Sequence, residues 1–147
     1  MSYAMNRAIG AYRQAAVAVP PLSAVVLLYD EVLNALILTS RHLAAREFEQ
    51  AYLRTQRAVG ILQGLRQNLN LETGGALAKQ LLDTYTRNIS AINAVCGKPD
   101  ATQRLVKLST GLLELRNAWA EMTSLSQRPL DPLLKEFETE FSLVRNA

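Results

Sequence analysis

The feature that leaves this chain fewest choices is a seam of large apolar residues: Ala101, Leu105, Leu108, Leu112, Leu115, Trp119 and Met122 alternate spacings of four and three. A heptad seam sets these side chains along one line of an α-helix, and such a line is stable in water only when other helices cover it. Three more stripes obey the same geometry. Leu22, Val25, Val26, Tyr29, Val32, Leu33, Leu36, Ile37, Leu43 and Ala44 predict a helix over about 22–46. Phe48, Ala51, Tyr52, Val59, Leu62, Leu65 and Leu69 predict a second, over about 47–69, and Leu77, Ala78, Leu81, Leu82, Tyr85, Ile89, Ile92 and Val95 a third, over about 75–96.

The breaks agree with the stripes. Pro20-Pro21 ends whatever precedes it and opens the first long helix. Asn68 to Gly75 supplies turn conformations, and Gly97-Lys98-Pro99 is a helix stop, with Asp100 placed to cap the fourth helix. Ser124 to Pro132 reads as a linker, after which Leu133, Leu134, Phe137, Phe141 and Val144 form one side of a short amphipathic helix. The expected fold is therefore all-α. It is an antiparallel up-down four-helix bundle over 22–124, with an N-terminal arm over 1–21 and a C-terminal linker and short helix over 125–147, one domain overall.

Composition supports a single packed domain. The chain has 147 residues, 49% of them apolar, enough for one substantial core. The net charge of +3 is carried by basic residues spread along the chain with no Lys/Arg block, so no nucleic-acid partner is expected. The longest uncharged stretch, Gln14 to Tyr29, is interrupted by the proline pair and too short for a bilayer, so no membrane insertion is expected. One cysteine, Cys96, makes neither an internal disulfide nor a zinc cluster and fits a reducing, cytoplasmic setting.

The residues offer little chemistry. His42 is the one histidine, and it cannot build a His-based metal site alone. Histidine phosphotransfer on a four-helix bundle is an alternative function with His42 as acceptor, although Leu43-Ala44-Ala45-Arg46 after it is a poor match to such a site. Asp30 and Glu31 are adjacent on a helix and diverge by about 100°, so they do not share one site. No catalytic residue, metal site or cofactor is expected, and the chain is not read as an enzyme. Binding another protein fits better. Leu27, Leu38, Ile61 and Leu113 lie off the main stripes and are candidates for exposed apolar strips. A broad-faced bundle that buries them is the alternative.

Four runs carry a family resemblance: Ala11-Tyr12-Arg13-Gln14; Pro21 with Val26-Leu27-Leu28-Tyr29-Asp30; Leu71-Glu72-Thr73-Gly74-Gly75-Ala76-Leu77-Ala78-Lys79-Gln80-Leu81; and Leu112-Leu113-Glu114-Leu115-Arg116-Asn117-Ala118-Trp119. In this order and spacing, over about residues 8–122, the chain resembles the flagellin-specific export chaperones of the FliS family. Pro20 replaces the family's usual Ser or Thr cap, Thr73 its Lys and Gln80 its Asn, and Ala24 stands where a larger aliphatic is common. The resemblance implies a cofactor-free helical bundle that binds the disordered C-terminal segment of flagellin. It implies that this binding prevents polymerisation in the cytoplasm and precedes delivery to a component of the export gate. It also implies that Tyr12, in the arm, covers part of the client groove, and it adds Gly74 and Gly75 to the candidate flagellin-binding set of Tyr12, Leu27, Leu38, Ile61 and Leu113. A homodimer through the fourth helix is a further reading of the same seam.

Overall fold

The structure is a computed structural model that describes residues 21–146, with side chains over 22–138. Its elements are α1 (Pro21–Ala44), α2 (Phe48–Gln67), α3 (Leu71–Ala94), a 3-10 turn (Val95–Gly97), α4 (Ala101–Ala120) and α5 (Leu130–Asn146). The described residues form an all-helical bundle, as the four stripes require. The expected arm, apart from Pro21, lies outside the described residues, and Tyr12 with it.

α1 is the hub. It packs on α2, α4 and α5, while α3 lies against α2 and α4 also touches α5. A helix with neighbours on three sides must be apolar around most of its circumference. Val26, Tyr29, Val32, Leu33 and Leu36 are fully buried, and Ala24, Ala35 and Ile37 nearly so. By length and composition, Leu22–Ala44 would also suit a membrane span, with a mean hydropathy of 1.7, but 56% of that apolar window is buried inside the bundle. Core packing accounts for its composition.

The joints follow local chemistry. The α1–α2 turn is a Schellman cap: Glu47 N–H donates to the His42 carbonyl at 2.8 Å and Arg46 N–H to that of Leu43 at 3.1 Å. Its left-handed position, at φ 61°, is filled by Arg46 where glycine is usual. Asn70 caps α3 by accepting from the backbone N–H groups of Glu72 and Thr73, both at 3.1 Å. The break expected around Asn68 to Gly75 is thus shorter than the sequence suggests, because α3 begins at Leu71 and kinks at Gly75, at φ 57° and ψ −137°. Asp100 occupies the cap position of α4, but its carboxylate accepts from Arg104 Nε at 2.7 Å and makes no capping hydrogen bond. That interaction holds the Asp100 carboxyl below its ordinary pKa.

Several expected inner-face residues lie outside. Phe48 and Tyr52 are each 56% exposed, and Leu77 and Met122 each 59%. In the first half of α2 the buried residues are small, Ala51, Thr55 and Ala58, and the large apolar side chains beside them turn outward; further along, Val59, Ile61, Leu62 and Leu65 are buried. On α4 the helix ends at Ala120, before the last residue of the seam. Its buried line, through Leu105, Ser109, Leu112, Leu113 and Arg116, is rotated from the predicted one, leaving Leu108, Leu115 and Trp119 half-buried at its edge.

Candidate functional site

A polar junction ties α1, α4 and the segment before α5 together. Arg116 is buried, and its guanidinium grips Asp30 in a two-bond fork, Nε to Oδ1 at 3.0 Å and Nη2 to Oδ2 at 3.1 Å. Its remaining nitrogen donates to the Ser126 carbonyl at 2.6 Å and to Asn117 Oδ1 at 3.1 Å. Arg128 adds a second cation, donating to Asp30 Oδ1 and to Asn34 Oδ1, each at 3.0 Å. Asn117 then brackets the Arg128 backbone, donating to its carbonyl at 2.8 Å and accepting from its N–H at 2.9 Å. A carboxylate between two guanidiniums satisfies charges that would be costly to bury alone. Glu31, next to Asp30, points elsewhere and pairs with Arg57 at 2.6 Å.

Beside the junction, the hydroxyls of Tyr29 and Tyr85 meet at 2.5 Å, joining α1 to α3 through the core. Burial pushes both phenols above their ordinary pKa; for Tyr29 the neighbouring Tyr85 adds to the rise and Trp119 opposes it. Two of the runs singled out in the sequence, ending at Asp30 and at Trp119, therefore converge on one end of the bundle. Neither Arg116 nor Arg128 was identified from spacing alone. The signal was an acid pair, Asp30 and Glu31, in an otherwise apolar helix, each of which needs a cation when that helix is packed.

The predicted binding residues do not form one patch. Leu27 is 41% exposed and Leu38 half-buried, both on the side of α1 that carries Asn34 and Arg41. Ile61 and Leu113 are core residues, 2% and 4% exposed, which corrects the expectation that they supply exposed strips. Ile61 is enclosed because α2 sits between α1 and α3 and is covered on both flanks. Leu113 is enclosed because it lies on α4 between Val106, which lines a groove against α5, and Asn117, which bonds to the residues leading into α5. Gly74 and Gly75 are exposed, and their role in the fold is geometric. Gly75 adopts a backbone conformation that L side chains rarely take, and a Cβ on Gly74 would fall 2.6 Å from that of Ala78. The kink presents Leu71 and Leu77, 47% and 59% exposed, on either side of it.

Other apolar surface was missed in the sequence. Phe48, Tyr52 and Leu53 stand out from the start of α2, all more than half exposed. A groove of about 460 Å³ runs between α4 and α5, lined by Pro99, Thr102, Val106, Leu134 and Phe137 among others. A second of about 280 Å³ shares Pro99 and Thr102 with it and opens beside Phe48. Reactive chemistry is sparse. The His42 ring is 22% exposed and its Nδ1 lies 3.0 Å from the Glu47 carboxylate, which would repel an incoming phosphate. Burial raises the Cys96 thiol above its ordinary pKa, the opposite of nucleophile activation. Among the described residues no group of three or more His, Cys, Asp or Glu is placed to hold a metal ion.

The model of one family, described as flagellar protein FliS, matches residues 5–126. The chain belongs to the flagellar protein FliS family. The match spans both runs that meet at the Asp30–Arg116 junction, and α5 lies beyond its end. Membership implies a chaperone role in flagellar export, and FliS proteins are a chaperone family, not an enzyme family. No curated protein and no solved structure gives a significant match.

Proposed function

We propose that this FliS-family chain binds the disordered C-terminal segment of flagellin in the cytoplasm, keeps it from polymerising, and hands the complex to the export gate. The observation that carries the reading is apolar surface left uncovered on a bundle of this family. Leu27, Phe48, Tyr52, Leu53 and Leu77 are each more than 40% exposed, on three different helices. A client that wraps a bundle needs such spread anchors. One amphipathic helix offers only a single apolar face, and an ordering segment loses entropy that only a large contact area offsets. Leu27 and the Gly74-Gly75 kink are retained as contact points from the sequence reading, and Leu77 is added to them.

Calorimetric titration of the full chain with a peptide of the host flagellin's C-terminal region tests this. Binding is expected, with Leu27→Glu and Leu77→Glu each weakening it about tenfold, roughly 1.4 kcal/mol. Absence of binding to the unaltered chain, or full affinity in both variants, would overturn the reading. The histidine phosphotransfer alternative gains no support from the half-enclosed ring of His42.

A further inference from the structure

The structure assigns to α5 the place of an amphipathic client helix: it is a built-in occupant of the groove between α1 and α4, displaced when the client binds. This inference rests on the flagellin-binding reading above and adds a regulatory step to it.

The direction of α5 follows from its contacts. Arg128, just before it, reaches Asp30 and Asn34, while Glu136 pairs with Arg41 at 3.9 Å, so α5 runs parallel to α1. On α4 it faces the opposite way along the chain, with Asn117 near the Arg128 end and Thr102 and Val106 opposite Leu134 and Phe137. Helical spacing then decides what lies beneath. Asn34, Leu38 and Arg41 form one strip of α1, and Thr102, Val106, Leu113 and Asn117 one strip of α4. Each strip meets Arg128, just before α5, at one end and α5 itself at the other, which places Leu38 and Leu113 between these contacts. These two residues were picked from sequence as client contacts, and α5 lies along the strips that hold them.

α5 holds the groove as a bound peptide would. Leu133 and Phe137, four residues apart on one face, are its anchors and are each 2% exposed. Its charged contacts sit at the rim: Glu136 and Arg41 are 45% and 42% exposed and, as a surface pair, contribute little affinity. The groove is incompletely filled, as the cavity of about 460 Å³ beside Leu134 and Phe137 shows. At the Asp30 end the α1 strip continues past α5 to Leu27, which stays 41% exposed. A client helix with large apolar residues four apart can therefore engage Leu27 first and extend along the strip as α5 leaves. The linker clasp of Arg116 on Ser126 and Arg128 on Asp30 keeps the released helix tethered beside its groove.

Hydrogen exchange on the full chain, with and without a saturating flagellin C-terminal peptide, reads this directly. Amides of α5 are expected to lose protection on binding while those of α2 keep theirs. A Leu133→Ala/Phe137→Ala chain, whose groove is open more of the time, is expected to bind the peptide about tenfold tighter, because closure lowers apparent affinity by the open fraction. Binding with α5 protection unchanged and no gain in the variant would overturn the displacement and leave flagellin binding standing. No binding by either chain would overturn both.

Discussion

Arg116 and Asp30 lie 86 positions apart in the chain and are joined by two parallel hydrogen bonds at 3.0 and 3.1 Å. The fork locks α4 against the hub helix. Because Arg128 shares the same carboxylate, the fork also fixes where the chain leaves for α5. Removing the acid leaves a buried guanidinium without its counter-charge. Asp30→Ala should therefore cost about 3 kcal/mol, read from urea unfolding. Arg128→Ala, losing a partly exposed partner, should cost about 1 kcal/mol or less. Equal costs would mean that the junction is not organised around Arg116.

The Tyr29–Tyr85 pair makes stability depend on alkaline pH. Burial raises both phenols above 10.0, so above that value the unfolded chain sheds protons that the folded chain keeps. Folding stability from the pair is complete below about pH 10 and falls as pH rises beyond it. The urea midpoint should drop in that range, and a Tyr29→Phe/Tyr85→Phe chain should show a shallower drop. Identical pH profiles would exclude the pair as the source.

Arg46 holds a left-handed conformation at φ 61° that costs an L residue about 1–2 kcal/mol. Arg46→Gly should relieve most of this, less the greater freedom glycine has when unfolded. A net gain of about 0.5–1 kcal/mol in thermal or urea unfolding is expected. A loss would show that the Arg46 side chain contributes more than its backbone costs.

Gly75 lies in open space, so a methyl group there meets no neighbour and the cost of Gly75→Ala is backbone strain alone, about 1–3 kcal/mol. Gly74→Ala fails for a different reason, contact with the Ala78 Cβ, and Ala78→Gly should rescue it while leaving Gly75→Ala unrescued. Rescue of both, or of neither, would contradict the two separate causes.

The helices were readable because four apolar stripes and three stop signals agree, and each helix boundary at Pro21, Gly97 and Asp100 falls close to its signal. The facing of individual residues was less readable. A stripe drawn through large side chains took Phe48 and Tyr52 as interior along with Val59, Leu62 and Leu65; the last three are buried, but the first half of α2 approaches the core through Ala51, Thr55 and Ala58, where small size permits close approach. Leu113 was a candidate for surface because it lies off the main stripe of its helix, and periodicity within one helix carries no record of what packs on it. The same limit hid Arg116: its partner is on another helix, and only the fold brings them together.

The position of α1 at the centre also governs the order in which a newly made chain becomes protected. α2 follows α1 directly and can fold onto it as a local hairpin while the ribosome is still translating. The other flank of α1 must wait for α4, whose Arg116 is made 86 residues after Asp30. Until then the nascent chain carries the kind of sticky surface that a chaperone exists to shield in others.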